Sequence, residues 1–239
     1  MARGGTRTAL RDNPQLYETY ADQWWQPRGV FAMLHWLAAA RAALVPTAPR
    51  TDAVLVDLGC GAGLLAPHVV DKGYQHIGVD RSESALRQAA AHGVLPLVGD
   101  VQAVPLAADS ADCVVAGQVL EHVADLRAAV AEACRILRPG GLLVLDTLAA
   151  TALCRVLAIG VAERLPGIAP RGAHDPALLV DRGVLAGAAA RHGVDLALRG
   201  LRPSLRDLAA WTAGRRNAVR MVPTRATAVL FQAIGWKKG

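Results

Sequence analysis

The stretch Val54-Leu55-Val56-Asp57-Leu58-Gly59-Cys60-Gly61-Ala62-Gly63-Leu64-Leu65 decides the reading of this chain. Its first half is a short apolar run closing on an acid, the pattern of a strand buried in a parallel sheet. Its second half sets glycine at every other position, and a residue without a side chain lets a ligand touch backbone at a strand-to-helix turn. The two halves together signal a nucleotide-like ligand, although a tight turn with no ligand uses the same glycines. Dinucleotide sites end their fingerprint in G-x-x-G so that the pyrophosphate rests on the helix start; Gly59, Gly61 and Gly63 give G-x-G-x-G instead.

Outward from this turn, apolar runs alternate with helical stretches, which predicts βα units and a mainly parallel, doubly wound sheet. Strands are expected over 53–58, 76–80, 95–99, 113–117 and 142–147, with helices over 64–72, 82–92 and 126–137. Ser82 opens the second of these helices with Glu83 in its first turn. Arg138-Pro139-Gly140-Gly141 stops the third, and the fifth strand starts directly after it. Two late strands, 194–199 and 226–236, complete a seven-stranded sheet with helices on both faces, and a helix is expected over 182–192. Residues 10–45, with Trp24, Trp25, Phe31 and Trp36, read as a helical cover. The α/β, Rossmann-like expectation is therefore one globular unit: cover 1–45, cofactor-binding core 46–150, and a substrate-side segment 151–239 that opens with an apolar helix and the turn-rich loop 165–172.

Composition narrows the function classes. The 239 residues are 53% hydrophobic and 19% charged, ordinary for a folded domain. The four cysteines, Cys60, Cys113, Cys134 and Cys154, share no metal or disulfide spacing and sit in apolar stretches, which fits a reducing cytoplasm. The opening segment has no apolar core of the kind a secretory signal needs, and the apolar stretch 142–162 is broken by Asp146 and Arg155, so neither export nor a membrane span is expected. Of the formal charge of +6, residues 1–150 contribute 12 Lys and Arg against 15 Asp and Glu, and residues 151–239 contribute 14 against 5. These late arginines lie among leucines and alanines with few aromatics between them, which argues against nucleic acid and leaves solvated helix faces or peripheral contact with an anionic membrane.

Three acids fall at the carboxyl ends of successive strands: Asp57, Asp80 and Asp100. Each has an alternative as a helix cap, but together they describe a pocket for an adenosine without a phosphate. Asp80 is placed to accept hydrogen bonds from both ribose hydroxyls, and Asp100 from an adenine amino group while Val101 packs on the ring. Cys60, Gly61 and Arg81 complete the wall.

The segments VLVDLGCGAGLL, GVDRS, GDVQAVPL, ADCVVAGQVLEHV and EACRILRPGGLLVLDT resemble, in order, the motifs of the class I S-adenosylmethionine-dependent methyltransferases. ADQWWQPRGVFAMLHWLAAAR and AERLPGIAPRGAHD extend the likeness, over about 17–203, to the ubiquinone-biosynthesis O-methyltransferases. This resemblance implies that Arg41, Gly59, Asp80 and Gly117 line the cofactor site, with Arg41 neutralising the methionine carboxylate. It implies O-methylation of a phenolic or catechol hydroxyl on a hydrophobic quinone precursor.

Methyl transfer from a sulfonium requires alignment, exclusion of water and a stabilised phenolate. Glu121 and His122, after the fourth strand, are the catalytic candidates, against a reading in which Glu121 caps the next helix and His122 is packed in a polar layer. The resemblance also implies a Mg²⁺ ion held by position 118 together with the Glu-His pair. Here Gln118 stands where the family has an acid, and an amide brings no charge to the ion. A Gln118, Glu121, His122 metal set and a metal-free general base at His122 both stand at this point. Trp25, His35 and His174 are the candidate substrate contacts. Ala38-Ala39-Ala40 replaces the Asn-Pro pair expected before Arg41, so a methyltransferase tailoring the oxygen, carbon or nitrogen of another natural product is the alternative. A nicotinamide-dependent oxidoreductase and a non-catalytic cofactor-binding module are the readings from other classes. Oligomeric state is not legible.

Overall fold

The structure, a computed structural model, describes residues 18–161 and 172–239. The expected features of the first 17 residues, and most of the loop expected over 165–172, lie outside them. Among the described residues eight strands form one sheet in the order β3-β2-β1-β4-β5-β8-β6-β7. Strands β1 (Val54–Leu58), β2 (Gln75–Asp80), β3 (Leu95–Val98), β4 (Ala111–Gly117) and β5 (Leu137–Leu148) are parallel. The chain moves from β1 outward through β2 to β3 and then returns to the other side of β1 with β4, so strand order reverses between β1 and β4. A crevice opens at such a reversal, outside the carboxyl ends of the strands.

The connecting helices are α2 (Ala66–Val69), α3 (Glu83–Ala91) and α4 (Leu126–Ile136). Ser82 caps α3 as expected, its hydroxyl accepting from the Ala85 amide at 3.2 Å. Asp125 caps α4 by accepting from the amides of Arg127 and Ala128, which leaves Glu121 outside any capping role there.

Strand β5 departs from expectation. It begins at Leu137, and its register against β4 jumps from Ala111↔Leu137 to Cys113↔Leu142, so the Pro-Gly-Gly run is a bulge inside the strand. The bulge keeps its backbone bonds: Gly140 donates to the Lys237 carbonyl and Lys237 to that of Gly141. The Lys237 ammonium adds bonds to the carbonyls of Cys134 and Leu137.

The late strands number three rather than two, which makes eight strands where seven were expected. They are β6 (Ala197–Pro203), β7 (Met221–Thr224) and the antiparallel β8 (Leu230–Trp236) beside β5. The unexpected β7 is four residues long with Pro223 inside it, tolerated because β7 is an edge strand. Helix α7 (Leu205–Thr212), also unexpected, joins β6 to β7, and α6 (Arg182–Ala190) lies where a helix was expected. After β5, helix α5 (Ala152–Cys154) widens into π-type turns over Arg155–Val161.

Among the described residues the cover contributes a short 3-10 turn, Ala21–Gln23, and helix α1 (Ala32–Ala42). Its Trp24, Phe31 and Ala38 are buried with Ala62 and Leu64 of the glycine turn. Its opposite side contributes Trp36 and Leu37 to a second cluster with Leu201, Trp211, Met221 and Leu230 from the late segment. One helix thus ties the glycine turn to the end of the chain. Among the described residues no helix is long and apolar enough to cross a membrane, and the four cysteines are buried and unpaired.

Candidate active site

A cavity of about 790 Å³ occupies the crevice. Its floor is the ends of β1, β2 and β4 with the glycine turn, and Trp24, Phe31, Met33 and Leu34 of the cover line it as well. At Gly61 the backbone has φ +51° and a Cβ would stand 2.9 Å from the Trp24 ring, so glycine both permits the turn and makes room for the aromatic wall.

The strand-end acids converge as expected. Asp80 closes β2 and is fixed by two backbone donors: Oδ2 accepts from Gly61 at 2.8 Å and Oδ1 from Ser82 at 2.9 Å. A carboxylate has about four acceptor sites, so two remain for a diol. Burial pushes the Asp80 pKa above the ordinary aspartate value, against the pull of these hydrogen bonds. Asp100 accepts from the Gln102 amide at 2.8 Å, which draws its pKa down, and Arg81 reaches to 3.8 Å from it while staying exposed. Val101 is buried beside it in the cavity wall. Asp57 is buried with one carboxylate oxygen 3.7 Å from His76 Nε2 and the other without a hydrogen-bond partner. Cys60 and Gly59 also line the cavity, and burial drives the Cys60 thiol pKa well up, leaving it protonated and unreactive.

Arg41 lies under Gly117, and a Cβ on Gly117 would fall inside its guanidinium. The expected partner of Arg41 was a cofactor carboxylate; in the structure it is already paired with Asp146, Nε to Oδ2 at 2.5 Å. Burial works against its charge, but Asp146 and Asp57 outweigh burial and hold its pKa above the ordinary arginine value. Asp146 also accepts from Gln118, Nε2 to Oδ1 at 3.0 Å, and its carbonyl accepts from the Gln118 amide at 2.9 Å. Gln118 has φ +54°, so this anchoring secures a backbone conformation that side chains rarely adopt. The sequence reading missed Asp146, although an acid near the carboxyl end of the fifth strand is the same signal that singled out Asp57, Asp80 and Asp100.

The other side of the cavity carries two histidines, His122 and His174. Glu121 is fully buried and accepts the Thr147 hydroxyl at 2.6 Å. His122 lines the cavity and stacks against His174, ring centroids 5.6 Å apart. Residues 52 positions apart in sequence thus meet at one wall. The two substrate candidates from the cover sit elsewhere. Trp25 stacks on His92 at 3.6 Å, and His35 Nε2 lies 2.8 Å from the Trp24 carbonyl, its pKa lowered by burial. Neither lines the cavity; Trp24, the neighbour not singled out, does. Adjacent residues in a turn point to different sides, and the sequence carries no signal to choose between two tryptophans.

Residues 56–145 match the Methyltransferase domain family. The ubiquinone biosynthesis O-methyltransferase of Ralstonia nicotianae is 34% identical over 194 residues, covering 77% of this chain and 82% of that protein. The enzyme of the same name from Thiobacillus denitrificans is 34% identical over 187 residues, covering 75% and 81%. Among solved structures, an S-adenosylmethionine-dependent methyltransferase of Thermotoga maritima, described as a possible histamine N-methyltransferase, superposes with a TM-score of 0.63 at 19% identity, over 94% of this chain and 99% of that one. That last likeness speaks for the fold alone. Strand-end acids without a phosphate site, the G-x-G-x-G turn and these relatives agree: the chain belongs to the ubiquinone biosynthesis O-methyltransferase family and is an S-adenosylmethionine-dependent methyltransferase.

Proposed function

We propose that this enzyme transfers the methyl group of S-adenosylmethionine to a phenolic hydroxyl of a catechol-type, hydrophobic quinone precursor. The observation that carries the reading is the placement of His122, next in sequence to buried Glu121, in the wall of the same cavity as Asp57, Asp80 and Asp100. Asp80 receives the ribose hydroxyls, Asp100 the adenine amino group, and Gly59, Gly61 and Gly117 let the cofactor approach backbone. The Arg41–Asp146 pair carries no net charge, so Arg41 meets the methionine carboxylate as a hydrogen-bond donor more than as a lone cation.

In the reaction the phenolate oxygen attacks the methyl carbon, the O–CH₃ bond forms as the S–CH₃ bond breaks, and the electron pair stays on sulfur as the neutral thioether. A phenol has a pKa near ~10, so at neutral pH its anion needs stabilisation at the acceptor oxygen. In the metal-free site His122 accepts the phenol proton as general base, with His174 flanking the acceptor. Trp24, Phe31, Met33 and Leu34 exclude water and take the apolar part of the acceptor. Incubation with labelled methyl donor and a panel of catechols is the test: label is expected in the acceptor. Absence of any methylated acceptor, in protein that binds S-adenosylhomocysteine, would overturn the reading in favour of a binding module.

We propose in addition a peripheral contact with anionic membrane, supported by Leu153, Val156 and Leu157, which are exposed apolar side chains on the helix after β5 beside Arg155. Flotation with anionic liposomes is expected to retain the protein at low salt and release it at high salt; no binding at low salt eliminates the contact.

A further inference from the structure

Glu121 is fully buried and adjoins His122 of the cavity wall. Its Oε2 is bonded to Thr147, but its Oε1 is buried without a hydrogen-bond partner. A buried carboxylate oxygen left in that condition is costly unless a cation or donor meets it. Arg41, a buried cation whose charge Glu121 feels, is committed to Asp146. Beside Glu121, His122 and His174 each present a ring nitrogen, and the three ligand atoms lie within 4.8 Å of one another. An ion about 2.1 Å from each donor spans that spacing after small side-chain rotations. Gln118, by contrast, is anchored on Asp146 through its amide nitrogen.

We infer that this chain holds a borderline divalent metal ion, of the zinc or cobalt class, through Glu121, His122 and His174, with His174 taking the ligand role that position 118 has by resemblance. The donor chemistry sets the preference. Two imidazoles and one carboxylate suit zinc, cobalt or iron, whereas Mg²⁺ favours an all-oxygen shell and retains its waters. A bound ion would supply Lewis acidity at the acceptor hydroxyl in place of direct proton transfer to His122, which would then act through the ion. The inference deepens the O-methyl transfer reading, on which the purpose of the ion depends, though its position does not.

The test is visible absorption of the metal-stripped full chain titrated with CoCl₂. A saturable one-to-one signal is expected that excess MgCl₂ leaves in place and ZnCl₂ abolishes. His174→Ala should weaken Co²⁺ binding by at least ~100-fold, the upper range for losing even a residue that merely supports a ligand, while S-adenosylhomocysteine affinity reports an intact fold. Glu121→Gln reads the same loss if the histidine variant does not fold. Exposed His192, in His192→Ala, should change nothing. Wild-type Co²⁺ affinity in His174→Ala, displacement by Mg²⁺, or a loss in Gln118→Ala with none in His174→Ala would overturn the inference. Methyl transfer to a catechol without Co²⁺ binding sinks this inference alone; Co²⁺ binding without methyl transfer sinks the functional reading alone.

Discussion

The two halves of the cavity are built in different ways. The proposed cofactor half comes from consecutive βα turns, in which each strand delivers one acid at its carboxyl end and backbone amides fix two of them, Gly61 and Ser82 holding Asp80 and Gln102 holding Asp100. The proposed acceptor half is assembled from a cover helix, the turn after β4 and a segment beyond β5, with His122 and His174 meeting across 52 residues. Local construction makes the first half legible. Non-local construction leaves the second free to change its chemistry while the cofactor site stays the same.

That comparison can be broken in several places. The largest effect is expected in the acceptor half: His122→Ala should lower turnover by ~10²- to 10⁴-fold, the usual contribution of a group that handles a proton in the transition state, with S-adenosylhomocysteine affinity unchanged by calorimetry. Equal losses of turnover and affinity would mean that the halves are not separable. Gly117→Ala strikes the seam between them. Its Cβ would displace Arg41 from Asp146, and breaking a buried ion pair costs about 3–5 kcal/mol, measurable by urea denaturation. In the cofactor half, Asp80→Asn removes a charged acceptor worth about 1.5–3 kcal/mol, and cofactor affinity should fall ~10- to 100-fold, with little change in acceptor KM.

The pH dependence of cofactor binding follows from the raised Asp80 pKa. Acidification protonates this carboxylate at a pH above the ordinary aspartate value, and in the proposed binding mode the ribose loses its acceptor there. S-adenosylhomocysteine affinity should therefore decline on acidification through that raised pKa, and the decline should be absent in Asp80→Asn. For folding the sign is opposite. Because the folded protein binds this proton more tightly than the unfolded chain, the burial cost of Asp80 is relieved as pH falls through the folded pKa. The smallest effect is expected from Trp25→Ala. It loses the stack on His92 and costs stability on the order of 1 kcal/mol, but leaves acceptor KM within about twofold, whereas Trp24→Ala should raise KM because that ring lines the cavity.

How much was legible follows the same division. The five parallel strands, the Ser82 cap and three cavity acids were readable because period, turn chemistry and strand-end acids are short-range signals. The bulge in β5 was not, since Pro-Gly-Gly reads as a stop and its pairing with Lys237 depends on the far end of the chain. β7 and α7 escaped because four residues containing Pro223 carry no period, and α7 sits among dispersed arginines. In the site, Asp146 was readable and overlooked. The meeting of His174 with Glu121 and His122 was not, because it depends on where a long connection returns.

The most direct test of the central claim is the identity of the atom that receives the methyl group. With ¹³C-methyl S-adenosylmethionine and a catechol acceptor, the product spectrum should show the labelled methyl on oxygen, as an aryl methyl ether formed only when the protein is present. Label on carbon or nitrogen, or a labelled donor left intact beside protein that binds it, would contradict the account.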